Sequence, residues 1–162
     1  MTHPFDALAL GDASLLLTPC PGTRGVALQS SLQQLQQAGA VGVLTLMPTH
    51  ELQALQVAAL GESCQQLGLR WWHAPIDDDA APADDFAAVW PAIAAEVQQL
   101  LDQGQSIAVH CKGGSGRTGL ACALLLDARG EADAKAKVQA LRPYALTNAA
   151  HQAYFAGVQQ TR

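Results

Sequence analysis

The sequence predicts an α/β fold in which a central, mostly parallel sheet is flanked by helices. Short apolar runs that are typical of buried strands alternate along the chain with segments of helical spacing. The 162 residues are 49% hydrophobic and 14% charged, a composition typical of a folded protein. Parallel strands place their carboxyl ends, and the functional loops that follow them, at one edge of the sheet. We therefore expect a single domain over residues 1–162, with its site at that edge.

The first half of the chain supplies a strand pair and then two helix–strand units. The predicted elements are short strands or a hairpin over residues 8–18, a helix from Ser30 or Ser31 to Gly39, a strand over 41–47, a helix over 51–67 that Gly61 interrupts, and a strand over 69–76. The acidic residues 77–79 and Pro82 then form a loop.

The second half contains one more strand and several helices. Apolar residues from Phe86 to Leu101 trace one helical face, and Pro91 within it predicts a kink or a late start of the helix. The remaining predicted elements are a strand over 106–110, a helix over 120–126 that is apolar all round, and helices over 132–141 and 149–160.

Charge and cysteine usage exclude several classes of function. A formal net charge of -5 argues against a general affinity for nucleic acid or for an anionic membrane, because both require a positive surface. Residues 1–10 lack the features of a signal peptide, and no apolar run approaches the roughly 20 residues of a spanning helix. No CxxC pair occurs, so Cys20, Cys64 and Cys122 are expected to be reduced packing residues, and a disulfide between one of them and an oxidised Cys111 stays open as an alternative. We expect a cytoplasmic protein without a metal.

A glycine-rich segment follows directly after the strand predicted at residues 106–110. Residues 110–118 read His-Cys-Lys-Gly-Gly-Ser-Gly-Arg-Thr, with a cysteine and an arginine at the two ends of a tight turn. The glycines let successive backbone N–H groups point inward, and the start of the next helix adds positive potential. This pattern predicts a phosphate-binding loop. Its expected binding residues are Lys112, Gly113, Gly114, Ser115, Gly116 and Arg117.

Four side chains of this segment predict chemistry as well as binding. Arg117 has a planar charged fork that matches two phosphate oxygens and stabilises a transition state. The same positive surroundings favour the thiolate of Cys111, which is then a nucleophile. We expect the Thr118 hydroxyl to hydrogen-bond the sulfur and His110 to fix the loop through a backbone hydrogen bond.

The segment also carries a family signature. The residues that match the pattern HCxxGxxR followed by Ser or Thr are His110, Cys111, Gly114, Arg117 and Thr118, so the chain resembles the protein tyrosine and dual-specificity phosphatase superfamily. It is most similar to the cyclin-dependent kinase-associated phosphatase group, also through residues 21–22, 75–78 and 142–143. The resemblance implies a cysteine-based phosphatase fold, no cofactor, and hydrolysis of a phosphorylated protein or peptide through a phosphocysteine intermediate.

The resemblance further implies an aspartate on a separate loop, which protonates the leaving oxygen and then activates water. The family pattern of an acid four residues before a proline selects Asp78, because Pro82 stands at that distance; Asp77 is the second choice. A residue that positions the water is also implied, and spacing leaves His151 and the adjacent Gln152 as alternatives.

Substrate and function class are less strongly predicted than the reaction. Phosphotyrosine, phosphoserine or phosphothreonine, inositol phosphates and phosphoinositides all stay open. Ser115 stands where lipid-directed members of the superfamily typically have a second lysine beside one such as Lys112, which favours a protein substrate. A phosphate-binding module without turnover is one alternative. The GxGxxG match over residues 114–119 makes a dinucleotide-binding oxidoreductase another, but the second strand ending in an acid about 20 positions on is not predicted.

Overall fold

The structure is a computed structural model that describes residues 1–161. Within them, one sheet is formed by β1 (Asp6–Leu10), β2 (Ala13–Thr18), β3 (Ala40–Thr45), β4 (Arg70–His73) and β5 (Ser106–His110), in the order β1-β2-β5-β3-β4. β1 and β2 form an antiparallel hairpin, and the other neighbouring strands run parallel. The predicted mostly parallel sheet is confirmed, and the carboxyl ends of β2 to β5 lie at one edge.

Helices flank this sheet, as predicted. They are α1 (Leu28–Gln37), α2 (Thr49–Ala54), α3 (Leu60–Gln66), α4 (Asp84–Asp102), α5 (Gly116–Ala128), α6 (Ala134–Leu141) and α7 (Ala149–Gln160). α1 and α3 contact each other and pack on β3 and β4 respectively, whereas α4 and α5 pack on β2 and β5, and α6 and α7 pack on α5. None of the helices within residues 1–161 is sufficiently long and apolar to span a membrane.

The structure corrects one sequence prediction about helices, the position of a break, and narrows another, the effect of Pro91. The segment 51–67 breaks at residues 55–59 and not at Gly61, and Gln56 adopts the left-handed φ of 61° in the break. Gly61 lies inside α3. The position requires glycine because a Cβ there would stand 2.7 Å from the ring of Trp71. α4 begins at Asp84 and continues through Pro91, so the helix has no late start.

α5 is the most deeply buried helix and carries the start of the candidate site. Its residues from Arg117 to Leu126 are all buried, which confirms the prediction of a helix that is apolar on all sides. The strands that support it, such as β2 and β5, have near-continuous apolar sequences, as expected for parallel strands covered on both faces. Any side chain at the amino end of α5 is therefore held by a rigid core.

Candidate active site

The loop that joins β5 to α5 consists of residues 111–115. Gly114 has a φ of +82°, and a Cβ there would lie 2.7 Å from the carbonyl carbon of Thr18 and 2.8 Å from the nitrogen of Pro19. Only glycine meets both conditions, since a side chain would be strained and would clash with backbone. The Gly114 N–H donates to Cys111 Sγ over 3.3 Å, so the loop curls around the sulfur.

Residues from three segments that are distant in sequence line one small cavity above this loop, and all of them except Asp79 were predicted site residues. The cavity has a volume of about 130 Å³ and is lined by Asp78, Asp79, Cys111, Lys112, Gly113, Ser115, Gly116, Arg117 and His151. Of the predicted phosphate-binding residues, Gly114 alone is not in the lining, because it serves as the turn that lies against β2. Asp77, the second choice for the general acid, also lies outside the lining.

Arg117 is 2% exposed and is held by an acidic partner that the sequence did not reveal. Its Nη1 and Nη2 donate to the two Glu51 carboxylate oxygens at 2.9 and 3.0 Å, a bidentate arrangement. Burial alone would lower the pKa of Arg117, but Glu51, with Cys111 and Asp78, raises it above its ordinary value. The guanidinium is therefore charged and fixed in orientation before any phosphate arrives.

The loop with the three aspartates reaches Arg117 from the end of β4. Asp78 Oδ1 lies 3.4 Å from Arg117 Nη2, and Arg117 Nη1 also donates to the Ile76 carbonyl over 2.8 Å. The Asp78 side chain is 65% exposed, so its carboxyl group is open to solvent at the mouth of the cavity. This arrangement places the predicted acid beside the predicted phosphate clamp.

A chain of hydrogen bonds in the sheet interior, from β4 through β3 to β5, supports the loop. Trp71 Nε1 donates to Thr45 Oγ1 over 2.8 Å, and the Thr45 hydroxyl lies 2.7 Å from His110 Nε2. His110 Nδ1 lies 3.0 Å from the Cys111 carbonyl, which can only accept, so Nδ1 carries the proton and the Thr45 hydroxyl donates to Nε2. Burial lowers the pKa of His110 to about 4, and the ring is neutral at physiological pH.

Arg142 supports the loop from the opposite side. Its Nε donates to the Gly114 carbonyl over 2.9 Å and its Nη2 to the Leu17 carbonyl over 3.0 Å, and it forms an ion pair with Asp6. The sequence marked Arg142 through the family resemblance, but this contact to the loop could not be read from it.

The other predicted residues are placed as follows. The Thr118 hydroxyl is buried and has no hydrogen-bond partner among residues 1–161, so the predicted bond to the sulfur is not formed here. His151 lines the cavity, whereas Gln152 lies in a separate groove of about 460 Å³ beside α6 and α7. The predicted role of Thr118 and the role of His151 in positioning water stay predictions.

All four cysteines are unpaired, and three of them are poor nucleophiles. Burial raises the pKa of Cys20 and of Cys64 to about 12, and it raises the pKa of Cys122 further. Cys111 is the cysteine that lines the cavity. The prediction that the other three are packing residues agrees with their complete burial.

Comparison with known proteins agrees with this arrangement. A family model described as Tc-R-P, polymorphic toxin system, DSP-PTPase phosphatase, matches residues 21–131, which is more than half of the chain. The chain belongs to this family. The family match extends from the turn before α1 to the end of α5, and it includes both the aspartate loop and the glycine-rich loop.

Individual relatives support the predicted likeness to kinase-associated phosphatases. Cyclin-dependent kinase inhibitor 3 of Mus musculus is 32% identical over 99 residues, which cover 61% of this chain and 46% of that protein. The chain thus spans about half the length of the curated relatives it matches. The predicted superfamily is confirmed, and so is the predicted likeness to its kinase-associated group.

Solved structures confirm the predicted cysteine-based phosphatase fold. A kinase associated phosphatase whose catalytic-site cysteine is substituted by serine has a TM-score of 0.86 at 22% identity, covering 99% of this chain and 96% of that chain. Tk-PTP in the active form has a TM-score of 0.73 at 21% identity, covering 96% of this chain and 97% of that chain.

Proposed function

We propose that this chain is a cysteine-dependent phosphatase that acts on phosphorylated proteins or peptides, through a single phosphatase domain over residues 1–162. The observation that carries the proposal is that Cys111, Arg117 and Asp78 line one cavity, at the amino end of a helix. A nucleophile, a cation for the phosphate and a group for proton transfer are the three parts that the reaction requires. The family description supports the same class of reaction.

In the first step the Cys111 thiolate attacks phosphorus and the bond from phosphorus to the ester oxygen breaks. The Asp78 carboxyl group gives its proton to the departing oxygen, so an alcohol or phenol leaves and the phosphate stays bound to sulfur. Arg117 and the loop N–H groups bind the three non-bridging oxygens throughout.

In the second step a water molecule attacks the phosphorus of the phosphocysteine. The Asp78 carboxylate takes a proton from this water, the bond between sulfur and phosphorus breaks, and the thiolate is restored. Inorganic phosphate is the second product. The Thr118 hydroxyl, which has no partner in the present arrangement, is available to donate to the sulfur as it departs.

Hydrolysis of para-nitrophenyl phosphate in reducing buffer tests the proposed reaction. Cys111→Ser should abolish turnover, and Asp78→Asn should lower kcat by about 10² to 10⁴ while phosphate inhibition changes little. Asp77→Asn is the matched control, since Asp77 is also an exposed loop carboxylate but lies outside the cavity lining. Activity in Cys111→Ser, or a larger loss in Asp77→Asn than in Asp78→Asn, would contradict the assignment.

Charge at the mouth of the cavity favours a protein substrate with basic neighbours. Asp78 and Asp79 are exposed in the cavity lining, the neighbouring Asp77 is also exposed, and Lys112 is the exposed cation in the loop. Such a mouth attracts lysine or arginine beside the phosphorylated residue and repels additional phosphates. We therefore infer a phosphopeptide substrate in preference to a polyphosphorylated inositol.

Matched phosphopeptides test this substrate class. A phosphopeptide with basic flanks should have a higher kcat/KM than the same peptide with acidic flanks, and the difference should shrink at high salt because exposed charges are screened. Asp79→Asn should reduce the preference. Equal rates for both peptides, or faster hydrolysis of an inositol polyphosphate, would contradict the inference.

The two alternatives have weaker support. After β5, residues 111–161 contain helices and no strand, so the strand with an acidic end that a dinucleotide-binding oxidoreductase needs is lacking in the described chain. A binding module without turnover does not need a nucleophile and a carboxyl group in the same cavity. The unpaired cysteines suit a reducing compartment, and a cytoplasmic location is part of the proposal.

A further inference from the structure

His151 is a buried side chain of the cavity whose predicted role, the positioning of water, does not account for its contact with the aspartate loop. It is 2% exposed and lies in the first turn of α7, where its backbone N–H donates to Asn148 Oδ1 over 2.7 Å. Its Nε2 lies 2.8 Å from the carbonyl oxygen of Ala80. Because a carbonyl can only accept, Nε2 carries a proton and donates it in this hydrogen bond.

Ala80 closes the loop that carries the aspartates. The Ala80 N–H donates to the Asp77 carbonyl over 3.1 Å, and Asp79 within this turn has the left-handed φ of 59°. Asp77, Asp78 and Asp79 are all exposed, so the turn has little packing of its own to fix it.

Two contacts tie this turn to the phosphate loop and its helix. At its start, Arg117 Nη1 donates to the Ile76 carbonyl over 2.8 Å. At its end, His151 donates to the Ala80 carbonyl, and a Cβ at Gly116 would lie 3.8 Å from His151 Cε1, so the imidazole is also a neighbour of the phosphate loop. The imidazole therefore stands between the turn and the loop.

We propose that His151 is a positioning residue that holds the aspartate turn over the phosphate loop, so that the Asp78 carboxyl group can reach the leaving oxygen. The inference rests on the proposed phosphatase function. Proton transfer requires heavy atoms within about 2.6–3.2 Å of each other, and a turn tied at one end only would sample many arrangements outside that range. The hydrogen bond persists in both charge states of the ring, because Nε2 keeps its proton in the neutral and the cationic form.

The test compares aryl phosphates whose leaving groups range from strongly to weakly acidic phenols. His151→Ala should lower kcat/KM, which reports the step in which the leaving group departs, on the order of 10-fold to 100-fold for the weakly acidic leaving groups, and less for para-nitrophenol, because a more acidic phenol depends less on proton transfer. KM should change little. His151→Gln, whose amide N–H can still donate to Ala80, should recover most of the lost rate.

Gln152→Ala is the matched control, because Gln152 is the next residue on α7 and lies in the groove beside α6. It should stay within about 2-fold of the wild-type chain for every leaving group. In an Asp78→Asn background, His151→Ala should add no further dependence on the leaving group, since the acid that it positions is already absent.

The outcomes distinguish a failure of the proposed phosphatase function from a failure of the positioning role of His151. An inactive wild-type chain, or turnover in Cys111→Ser, would overturn the phosphatase function itself. An active, Cys111-dependent enzyme in which His151→Ala slows all leaving groups equally, or slows none, would overturn the positioning role alone. Equal loss in His151→Ala and His151→Gln would do the same, because the hydrogen-bond donor would then be irrelevant.

Discussion

At the scale of single residues, Glu51 explains how the buried Arg117 can stay charged in the absence of a bound phosphate. A guanidinium that is 2% exposed loses most of its hydration, and an uncompensated charge of this kind is costly. Glu51 compensates it with two parallel hydrogen bonds from the first turn of α2, 66 residues away in sequence. The carboxylate holds the fork in one plane, and the site is organised before a substrate binds.

Glu51→Gln should therefore destabilise the free protein, and a phosphate analogue should restore part of the loss. We expect the free energy of unfolding in urea to fall on the order of 1–3 kcal/mol, because the charge of Arg117 loses its partner in a mostly buried position. Tungstate should raise the Tm of the variant more than that of the wild-type chain, since the anion supplies the missing negative charge. Glu62→Gln, an exposed glutamate in the first turn of α3, should change neither quantity. An equal tungstate effect on both chains would show that Glu51 does not compensate Arg117.

The residue scale also shows why sequence could predict only part of the site. Cys111 and Arg117 were predicted because their loop is local and its spacing repeats a known signature, so their geometry depends on few other residues. Glu51 and Arg142 were missed as neighbours of the loop, since a charged residue on a helix or in a turn is equally well interpreted as part of the solvated surface. Which of His151 and Gln152 faces the cavity depends on the rotation of α7, and spacing alone cannot fix that.

At the scale of elements, the amino end of α5 is held in place by close packing as well as by hydrogen bonds. Gly119 lies in the first turns of this helix, and a Cβ there would stand 2.3 Å from the Cβ of Ala145. Ala145 belongs to the turn after α6 that also contains Arg142, whose side chain binds the phosphate loop. A small residue on α5 therefore lets this turn approach closely enough for Arg142 to reach Gly114.

Gly119→Ala should separate these two elements. We expect a loss of about 1–3 kcal/mol in the free energy of unfolding, together with a lower kcat, because the displaced turn withdraws Arg142 from the loop. Gly157→Ala is the matched helical control on α7, because a Cβ there would meet nothing within 4 Å. This substitution should stabilise the protein by about 0.5–1 kcal/mol, since alanine has a higher helix propensity than glycine. Urea unfolding and para-nitrophenyl phosphate turnover measure both effects. Wild-type stability in Gly119→Ala would show that α5 and the turn are not in close contact.

Element prediction succeeded where burial dominates the sequence and failed where packing decides a boundary. β5 and α7 have the predicted bounds, because an apolar run between polar neighbours allows few other interpretations. Gly61 was taken as a break since glycine lowers helix propensity, yet it is needed for close approach to Trp71. Propensity does not show how closely α3 packs on the strand that follows it, so the break between α2 and α3 was misplaced.

At the scale of the whole molecule, the site depends on the meeting of parallel strands at one sheet edge. β5 lies between β2 and β3 and pairs with both. Two backbone hydrogen bonds extend this pairing into the phosphate loop: the Leu46 N–H donates to the His110 carbonyl, and the Cys20 N–H donates to the Lys112 carbonyl. His110 lies in the middle of this arrangement, fully buried, with Thr45 and the Cys111 backbone as partners. The neutral ring is thus part of both the core and the support of the nucleophile.

This placement makes the stability of the molecule depend on pH. Burial, with smaller contributions from His3, Arg117 and His73, lowers the pKa of His110 from 6.5 to about 4. Between these two pH values the unfolded chain binds a proton at this position that the folded chain does not, so the folded state loses stability as the pH falls. The stabilisation is fully present above pH 6.5, and His110 alone accounts for a loss of about 3 kcal/mol by pH 4. The pKa values of His3 and His151 are also lowered by burial, and they add in the same direction.

Urea unfolding of the wild-type chain and of His110→Asn between pH 8 and pH 4.5 measures the contribution of His110 to the pH dependence of stability. The variant starts from a lower stability because a buried partner of Thr45 is changed, but its free energy of unfolding should fall less steeply between pH 6.5 and 5. Below about pH 5 the carboxylates begin to contribute in both chains, so the comparison of slopes is made above that value. NMR of the His110 ring should show one predominantly neutral form, with the proton on Nδ1, from pH 8 down to about pH 5. Equal slopes, or a ring that titrates near its ordinary pKa, would mean that His110 is hydrated in solution and that the loop carrying Cys111 is not anchored through the core.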